Sequence, residues 1–328
     1  MKQKKRNLTL DRKIYFYKVI CEVSGVTKPL SDVFDDYQKH LGGNLQNLVE
    51  RGFATENFDK YLFLELEKHL TDQNIYNGIF YNLRISEFPF LFDLNDGARS
   101  EITQKESDAL MEMTHFSYFA NDDLIVSEYN YYGAKIEYLG RHLQNVFQNI
   151  YPSLQYDISV VPVVIPEYYE NIKNCKWLYG IQFKVATPGK RLLAEKGVIG
   201  VNDVIGESLG SIDCYIDINV SGIQGRSIDM KEPNVWLSNA IDAIKEAMKT
   251  NNLDKDEKPI FRKAKVKGYN VVENKTIPYD LLEGKLVSTC KVEKISPKTK
   301  YVNKNEMFNK ILEAYIEKKD DALKYMGT

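Results

Sequence analysis

The stretch that decides the fold runs from Thr114 to Ile150 and reads THFSYFANDDLIVSEYNYYGAKIEYLGRHLQNVFQNI. Aromatic and β-branched residues dominate 115–119 and 124–129, and the turn-forming Asn121-Asp122-Asp123 lies between them, which is typical of a β-hairpin. After Gly133 apolar residues recur every three or four positions, which indicates one apolar stripe on a long helix. The segment therefore predicts a hairpin followed by an amphipathic helix.

Strands and helices are interspersed along the rest of the chain, yet consecutive strand pairs recur. This order favours an α+β fold with two mixed, largely antiparallel sheets, each packed with helices, over a doubly wound fold. Before the hairpin we expect a strand (Arg12–Val23), two helices (Val33 to Leu48 and Leu62 to Leu70), a strand (Ile75–Ser86) and a loop (87–107). After it we expect strands over 155–164, 175–186, 211–220, 260–268 and 285–295, and helices over 168–172, 189–193, 234–248 and 307–326.

The length of 328 residues is enough for two ordinary domains. We place their boundary near residues 170–175, although no Gly/Ser-rich linker marks it. The predicted N-terminal α+β domain covers 1–172 and contains the hairpin and its helix. The predicted C-terminal α+β domain covers 173–328 and contains two lysine-rich strands.

Composition indicates a soluble globular protein, with 43% apolar and 27% charged residues. No apolar run approaches the roughly 20 residues that a membrane span needs, and the basic opening lacks the apolar core of a secretory signal. The four cysteines (Cys21, Cys175, Cys214 and Cys290) are isolated from one another. Their spacing fits neither a zinc site nor a disulfide framework, so we expect reduced thiols and a cytoplasmic location.

The sequence carries no recognisable catalytic motif. The four histidines lack metal-ligand spacing, and the Gly-rich stretches 197–200 and 206–210 lack the Lys-Ser/Thr ending of a phosphate-binding loop. Asp213 and Asp217 share a strand face but lie about 13 Å apart. An acid–base role for His115 with His142 would require a placed substrate and a third orienting group. We predict no catalytic residue, metal or cofactor, and favour a non-enzymatic protein.

The net charge of −2 hides a strong asymmetry. Residues 1–20 hold seven Lys or Arg against one Asp, and residues 258–310 hold thirteen against five acidic residues. A chain with this distribution can present a basic surface to a polyanion although its overall charge is slightly negative.

Two lysine-rich strands supply the candidate binding residues. Period 2 places Lys263, Lys265 and Lys267 on one face of the first strand, and Lys285 and Lys291 share a face of the second. A sheet face with these five lysines would contact the phosphate backbone of nucleic acid without reading its sequence, with Arg262 and Lys300 outside that face. The alternative is that the lysines protect an exposed sheet edge from aggregation.

The hairpin segment also resembles known proteins. Its Thr114-His115-Phe116 strand, acidic turn, Ile-x-x-Glu-Tyr-Asn strand (125–130) and glycine before a long helix resemble a loose set of bacterial and prophage proteins. These often lie among phage-defence genes and are distantly similar to the A component of the lambda Rex exclusion system. The resemblance covers residues 75–150 and implies an intracellular phage-defence (abortive infection) role, with DNA binding that triggers an effector. It implies no catalytic residues.

Together these features predict a cytoplasmic protein that binds nucleic acid, and DNA in particular, non-specifically and acts as a sensor or accessory subunit. The binding residues would be Arg262, Lys263, Lys265, Lys267, Lys285, Lys291 and Lys300. One alternative is a metal-dependent nuclease effector whose active site assembles from distant segments. Another is a protein-interaction subunit, a homo-oligomer or effector subunit, whose acidic stretch, 21–257, docks a basic partner.

Overall fold

The computed structural model describes residues 8–41, 53–54, 60–84, 91–92, 99–100, 110–200, 215–222, 226–249, 260–296 and 299–327. The chain divides into two compact units. The first unit comprises 1–160 and 287–323, and the second unit comprises 161–286 and 324–328. The predicted domains differ from these units at 161–172 and 287–323.

The described residues form the following elements. The strands are β1 (Thr9–Val23), β2 (Val26–Thr27), β3 (Phe53–Ala54), β4 (Lys60–Lys68), β5 (Ile75–Arg84), β6 (Leu91–Phe92), β7 (Arg99–Ser100), β8 (Leu110–Phe119), β9 (Leu124–Glu128), β10 (Tyr156–Pro162), β11 (Cys175–Ala186), β12 (Tyr215–Ser221), β13 (Phe261–Asn270), β14 (Lys275–Asp280) and β15 (Val287–Glu293). The helices are α1 (Leu30–Leu41), α2 (Leu139–Ile150), α3 (Pro166–Lys173), α4 (Thr187–Glu195), α5 (Pro233–Lys249) and α6 (Lys304–Met326).

The first unit is built on a nine-stranded sheet. Its strand order is β10-β1-β9-β8-β5-β4-β3, and both β2 and β15 also pair with β1. Strands β8 and β9 form the predicted hairpin, with Phe119 opposite Leu124. The helix after it is α2, whose apolar stripe is buried at Leu139, Leu143 and Phe147. The hairpin and helix predicted from 114–150 are confirmed.

Helices pack on both faces of this sheet. On one face, the ring of Phe34 from α1 lies 5.5 Å from the ring of Tyr118 on β8. On the other face, Phe119 stacks on Tyr315 of α6 with ring centroids 3.6 Å apart. Alternate residues of β8 point to opposite sides, so this one strand carries part of both cores.

The second unit is built on a four-stranded antiparallel sheet with the order β12-β11-β13-β14. The buried side chains of β11 and β13 form one cluster with residues of α3, α4 and α5. Strand β11 has the predicted bounds, and the helix after Pro188 is observed as α4. The protein is an α+β fold with two largely antiparallel sheets, each packed with helices, as predicted.

One element prediction is wrong, because the segment 60–68 is strand β4 where we expected a helix. In addition, strands β2, β3 and β14 were not predicted. Strand β14 contains Pro278, which normally argues against a strand, but β14 lies at the sheet edge, where a missing N–H donor is tolerated. Within the predicted loop 87–107, β6 pairs with β7. The remaining residues of that loop, together with Leu45, Leu48 and 211–214, lie outside the described residues.

The three cysteines that the structure describes carry free thiols, with Cys21 and Cys175 buried and Cys290 half-buried. Burial raises the pKa of each thiol to about 11. In the part of the chain that the structure describes, no helix is long and apolar enough to cross a membrane.

Candidate nucleic-acid interface

Strand β13 has one buried and one exposed side, as its alternating sequence predicts. Ala264 and Val266 are buried in the core of the second unit. Lys265 and Lys267 are exposed, and Lys263 is half-exposed. The predicted common face for these three lysines is confirmed.

The helices of the second unit lie on the opposite side of this sheet. Phe183 of β11 and Val266 of β13 point into the same core as Leu237 of α5. Because side chains alternate along a strand, the neighbours of these core residues point away from the helices. We call this side the open face, and it carries Gly180, Gln182, Lys184, Asp217, Asn219, Ser221, Lys263, Lys265, Lys267, Pro278 and Asp280.

The open face is ordered into rows by the antiparallel register. Residues directly opposite each other on adjacent strands lie about 4.5–5.5 Å apart and share a face. The open-face residues of the four strands therefore form three rows across the sheet, and each row contains one lysine of β13. The three rows are Asp217–Lys184–Lys263, Asn219–Gln182–Lys265–Asp280 and Ser221–Gly180–Lys267–Pro278.

The positive charges of the open face exceed its negative charges. Lys265 forms an ion pair with Asp280 at 3.1 Å, and Lys184 contacts Asp217 at 3.5 Å. The hydrogen bond to Asp280 raises the pKa of Lys265. Among the described residues, Lys263 and Lys267 have no ion-pair partner. Lys184 and Lys263 lie directly opposite each other, which costs free energy that a bound anion would relieve.

Arg262 sits at one end of the lysine series. It is the extra residue of a β-bulge, because Lys184 pairs with Lys263 while Val185 pairs with Phe261. The bulge leaves Arg262 exposed, with its guanidinium carbon 3.8 Å from the centre of the Tyr215 ring. This distance fits a cation stacked on an aromatic face.

An exposed aromatic pair sits at the other end. Trp177 of β11 pairs with Tyr269 of β13, and their ring centroids are 5.3 Å apart. Tyr269 is two residues after Lys267 and therefore points to the same side of β13. The Tyr269 ring and the Trp177 ring paired with it both lie on the open face. Trp177 is 42% exposed, and the ammonium of Lys176 lies 4.8 Å from its ring centre. This pair was not predicted from the sequence, because two register shifts interrupt the alternation of β11 between Cys175 and Gly180.

The other three predicted binding residues lie elsewhere. Lys285 precedes β15 and forms an isolated bridge with Val164 in the second unit. Lys291 lies on β15 opposite Asp11, in the sheet of the first unit. Lys300 also belongs to the first unit, with its ammonium 4.9 Å from the Tyr132 ring.

The expected sheet face with five lysines is therefore not formed. Strand β15 pairs with β1 of the first unit, while β13 pairs with β11 and β14 of the second. The structure brings together Arg262, Lys263, Lys265 and Lys267, and adds Lys184. It does not bring Lys285, Lys291 or Lys300 to the same sheet.

The conjectured acid–base pair of histidines is also separated. Phe80 pairs with Thr114, and its ring lies 5.5 Å from that of His142 on α2. His115 follows Thr114 directly and therefore points to the other face of the sheet, where the Phe308 ring lies 5.5 Å away. Over the described ranges, no group of three or more His, Cys, Asp or Glu side chains could hold a metal ion.

No protein-family model matches the chain, and no curated protein sequence is significantly similar to it. The fold and the site define an α+β protein whose smaller sheet exposes a basic face.

Proposed function

We propose that this protein binds nucleic acid without reading its sequence, through the open face of the second unit. The observation that supports this most directly is the lysine series on β13. Lys263, Lys265 and Lys267 follow one another at every second residue and span about 13 Å along an exposed strand side. Lys184 widens this series across the neighbouring strand.

The chemistry of these side chains matches a phosphate backbone. An ammonium group is a point charge on a flexible stem and contacts phosphates without the bidentate geometry that distinguishes bases. Each phosphate neutralised releases counterions, so the affinity depends steeply on salt. Contacts of this kind supply affinity and position and carry no direct sequence information.

The test is the binding of labelled oligonucleotides over a salt series, followed by fluorescence anisotropy. We expect a linear fall of log affinity with log salt, with a slope of about −2 to −4 for three to four phosphate contacts. A Lys263→Glu/Lys267→Glu variant should lose at least tenfold in affinity for all sequences alike. The control is Lys291→Glu, at an exposed lysine of β15 in the first unit, which should bind as the wild type does.

Three results would contradict the proposal. These are no binding at low salt, binding that is independent of salt, and an equal loss of affinity in the Lys291→Glu control. Circular dichroism of each variant establishes that the fold is retained.

The resemblance of residues 75–150 supports a phage-defence setting for this binding, in which the protein acts as an intracellular sensor or accessory subunit. A bacterium expressing the chain should then plate a susceptible phage at lower efficiency than the vector control. Expression of the Lys263→Glu/Lys267→Glu variant should restore plating. Equal protection by the variant would separate defence from nucleic-acid binding.

A further inference from the structure

Two features of the open face offer contacts other than those to phosphates. The first is Trp177, a large aromatic side chain left 42% exposed in the same row as Tyr269. Aromatic rings of this size carry much of the energy of protein cores and interfaces, and leaving one in water forfeits that contribution. Trp177 therefore exposes an aromatic surface to solvent on the open face, at the end of the lysine series that carries Lys267.

The second feature is the stacked pair of Arg262 and Tyr215 at the opposite end of β13. Lys263 and Tyr269 are six positions apart on β13, which corresponds to about 20 Å of strand. Planar groups therefore stand at both ends of the series, with lysines between them. The middle row adds the side-chain amides of Gln182 and Asn219, which can donate and accept hydrogen bonds.

The form of the nucleic acid decides whether such planar groups can contribute. In a duplex the bases are stacked on one another and paired, so a protein face meets mainly phosphates and base edges in the grooves. Unpaired bases are free to stack on Trp, Tyr or Arg planes, and this stacking tolerates any base because each has a π-face. A four-stranded sheet with aromatic and basic side chains on an exposed face offers that geometry.

We propose that the open face takes single-stranded nucleic acid, with bases stacking on Trp177 and Tyr269 and on the Arg262–Tyr215 pair while the lysines hold the phosphates. This inference rests on the proposed function and specifies its ligand. It also explains why the open face exposes Trp177 although its lysines do not distinguish one base from another. Stacking and phosphate contact are both independent of sequence.

The test uses the fact that the chain has two tryptophans, Trp177 and Trp236. Trp236 is half-buried, with its Nε1 donating to the Val198 carbonyl at 2.9 Å, so it reports little on the open face. In a Trp236→Phe variant, Trp177 is the sole tryptophan emitter. Addition of an oligothymidylate should quench its emission, and an equally long duplex should not.

Affinity variants provide a second measurement in the full chain, by anisotropy of labelled single strands and duplexes. A Trp177→Leu/Tyr269→Leu variant should bind the single strand about tenfold more weakly and the duplex as before. The matched control is Tyr131→Leu, because Tyr131 is 70% exposed but lies in the first unit. It should leave both affinities unchanged.

The outcomes separate this inference from the proposed function. If the leucine variant binds single strands as tightly as the wild type and Trp177 emission does not change, stacking is wrong while lysine-dependent binding stands. If the duplex is bound more tightly than the single strand, the ligand assignment is wrong and the phosphate surface remains. If no nucleic acid binds at low salt, both proposals fail together.

Discussion

Asp280 holds the ammonium group of Lys265 at 3.1 Å, so the central lysine of β13 already has a counter-charge, whereas Lys263 and Lys267 form no ion pair within the described residues. The carboxylate is itself held in place, because its Oδ1 accepts the backbone N–H of Leu282 at 3.1 Å. The side chain of Asp280 is 18% exposed, whereas that of Lys265 is 50% exposed. The open face therefore carries a fixed negative charge that competes with any bound phosphate.

Replacing this aspartate should strengthen nucleic-acid binding. In an Asp280→Asn variant the amide oxygen can still accept the Leu282 N–H, while Lys265 loses its charged partner. We expect the affinity for an oligonucleotide to rise several-fold. The slope of log affinity against log salt should steepen by about 0.7–0.9, the value for one additional phosphate contact. Anisotropy titration over a salt series measures both, and an unchanged affinity in a folded variant would show that Lys265 contacts no phosphate.

The first unit contains a buried ionic cluster whose loss should destabilise it. Glu128 has a 1% exposed side chain, with Oε2 3.0 Å from Nε of Arg12 and Oε1 2.5 Å from Nδ1 of His115. A Glu128→Gln variant leaves the Arg12 guanidinium, 13% exposed, without its anion. Because breaking a buried ion pair leaves an uncompensated charge, we expect a loss of about 3–5 kcal/mol in the free energy of unfolding.

Urea unfolding followed by circular dichroism measures this loss. The matched control is Glu22→Gln on the same sheet, an exposed position where the change should stay within about 0.5 kcal/mol. An Arg12→Met/Glu128→Gln double variant should recover part of the stability, since no unpaired charge then remains. A single variant as stable as the wild type would mean that the cluster does not stabilise the folded chain.

The pattern of leucines in β4 shows where sequence reasoning reached its limit. Leu62, Leu66 and Leu70 recur every four residues, and four is close to one helical turn but also a multiple of the strand period of two. In the structure Leu62, Leu64 and Leu66 are buried on a strand, and Leu70 is 95% exposed. The longer hairpin and α2 segments were predictable because their periods were sampled over more residues.

The open face was predictable from the sequence only within one strand. The alternation of β13 already placed Lys263, Lys265 and Lys267 on one face. Which strands lie beside β13 depends on pairing between distant segments, and nothing local marks Trp177 as the neighbour of Tyr269. The same limitation explains Lys291, whose strand pairs with β1 near the start of the chain.

A glycine at a helix–strand contact provides a purely steric prediction. A Cβ on Gly140 of α2 would lie 2.1 Å from the backbone oxygen of Ile158 on β10. Alanine favours helices by about 1 kcal/mol over glycine, but the backbone overlap should outweigh this and destabilise the first unit by about 1–3 kcal/mol. Thermal unfolding of Gly140→Ala should show a lower midpoint than the wild type.

Gly180→Ala is the matched control for that substitution. A Cβ there would meet its nearest neighbours, the Cβ of Lys267 and the oxygen of Val220, at 3.7 and 4.0 Å, which are ordinary contacts. Its midpoint should match or exceed that of the wild type. Equal midpoints for the two variants would show that α2 moves away from β10 without cost.

The buried His142 should make the stability of the first unit depend on pH. Its side chain is on α2, neither ring nitrogen has a hydrogen-bond partner among the described residues, and burial lowers its pKa from 6.5 to about 4. The unfolded chain therefore binds a proton at a higher pH than the folded chain does. The neutral His142 therefore contributes about 3 kcal/mol to the free energy of unfolding. This contribution is complete above pH 6.5 and is lost as the pH falls toward about 4.

Urea unfolding at pH 7.5, 5.5 and 4.5 measures the decline, and a His142→Leu variant should flatten it, because leucine cannot take up a proton. A leucine variant that loses stability as steeply as the wild type over this range would assign the decline to other groups.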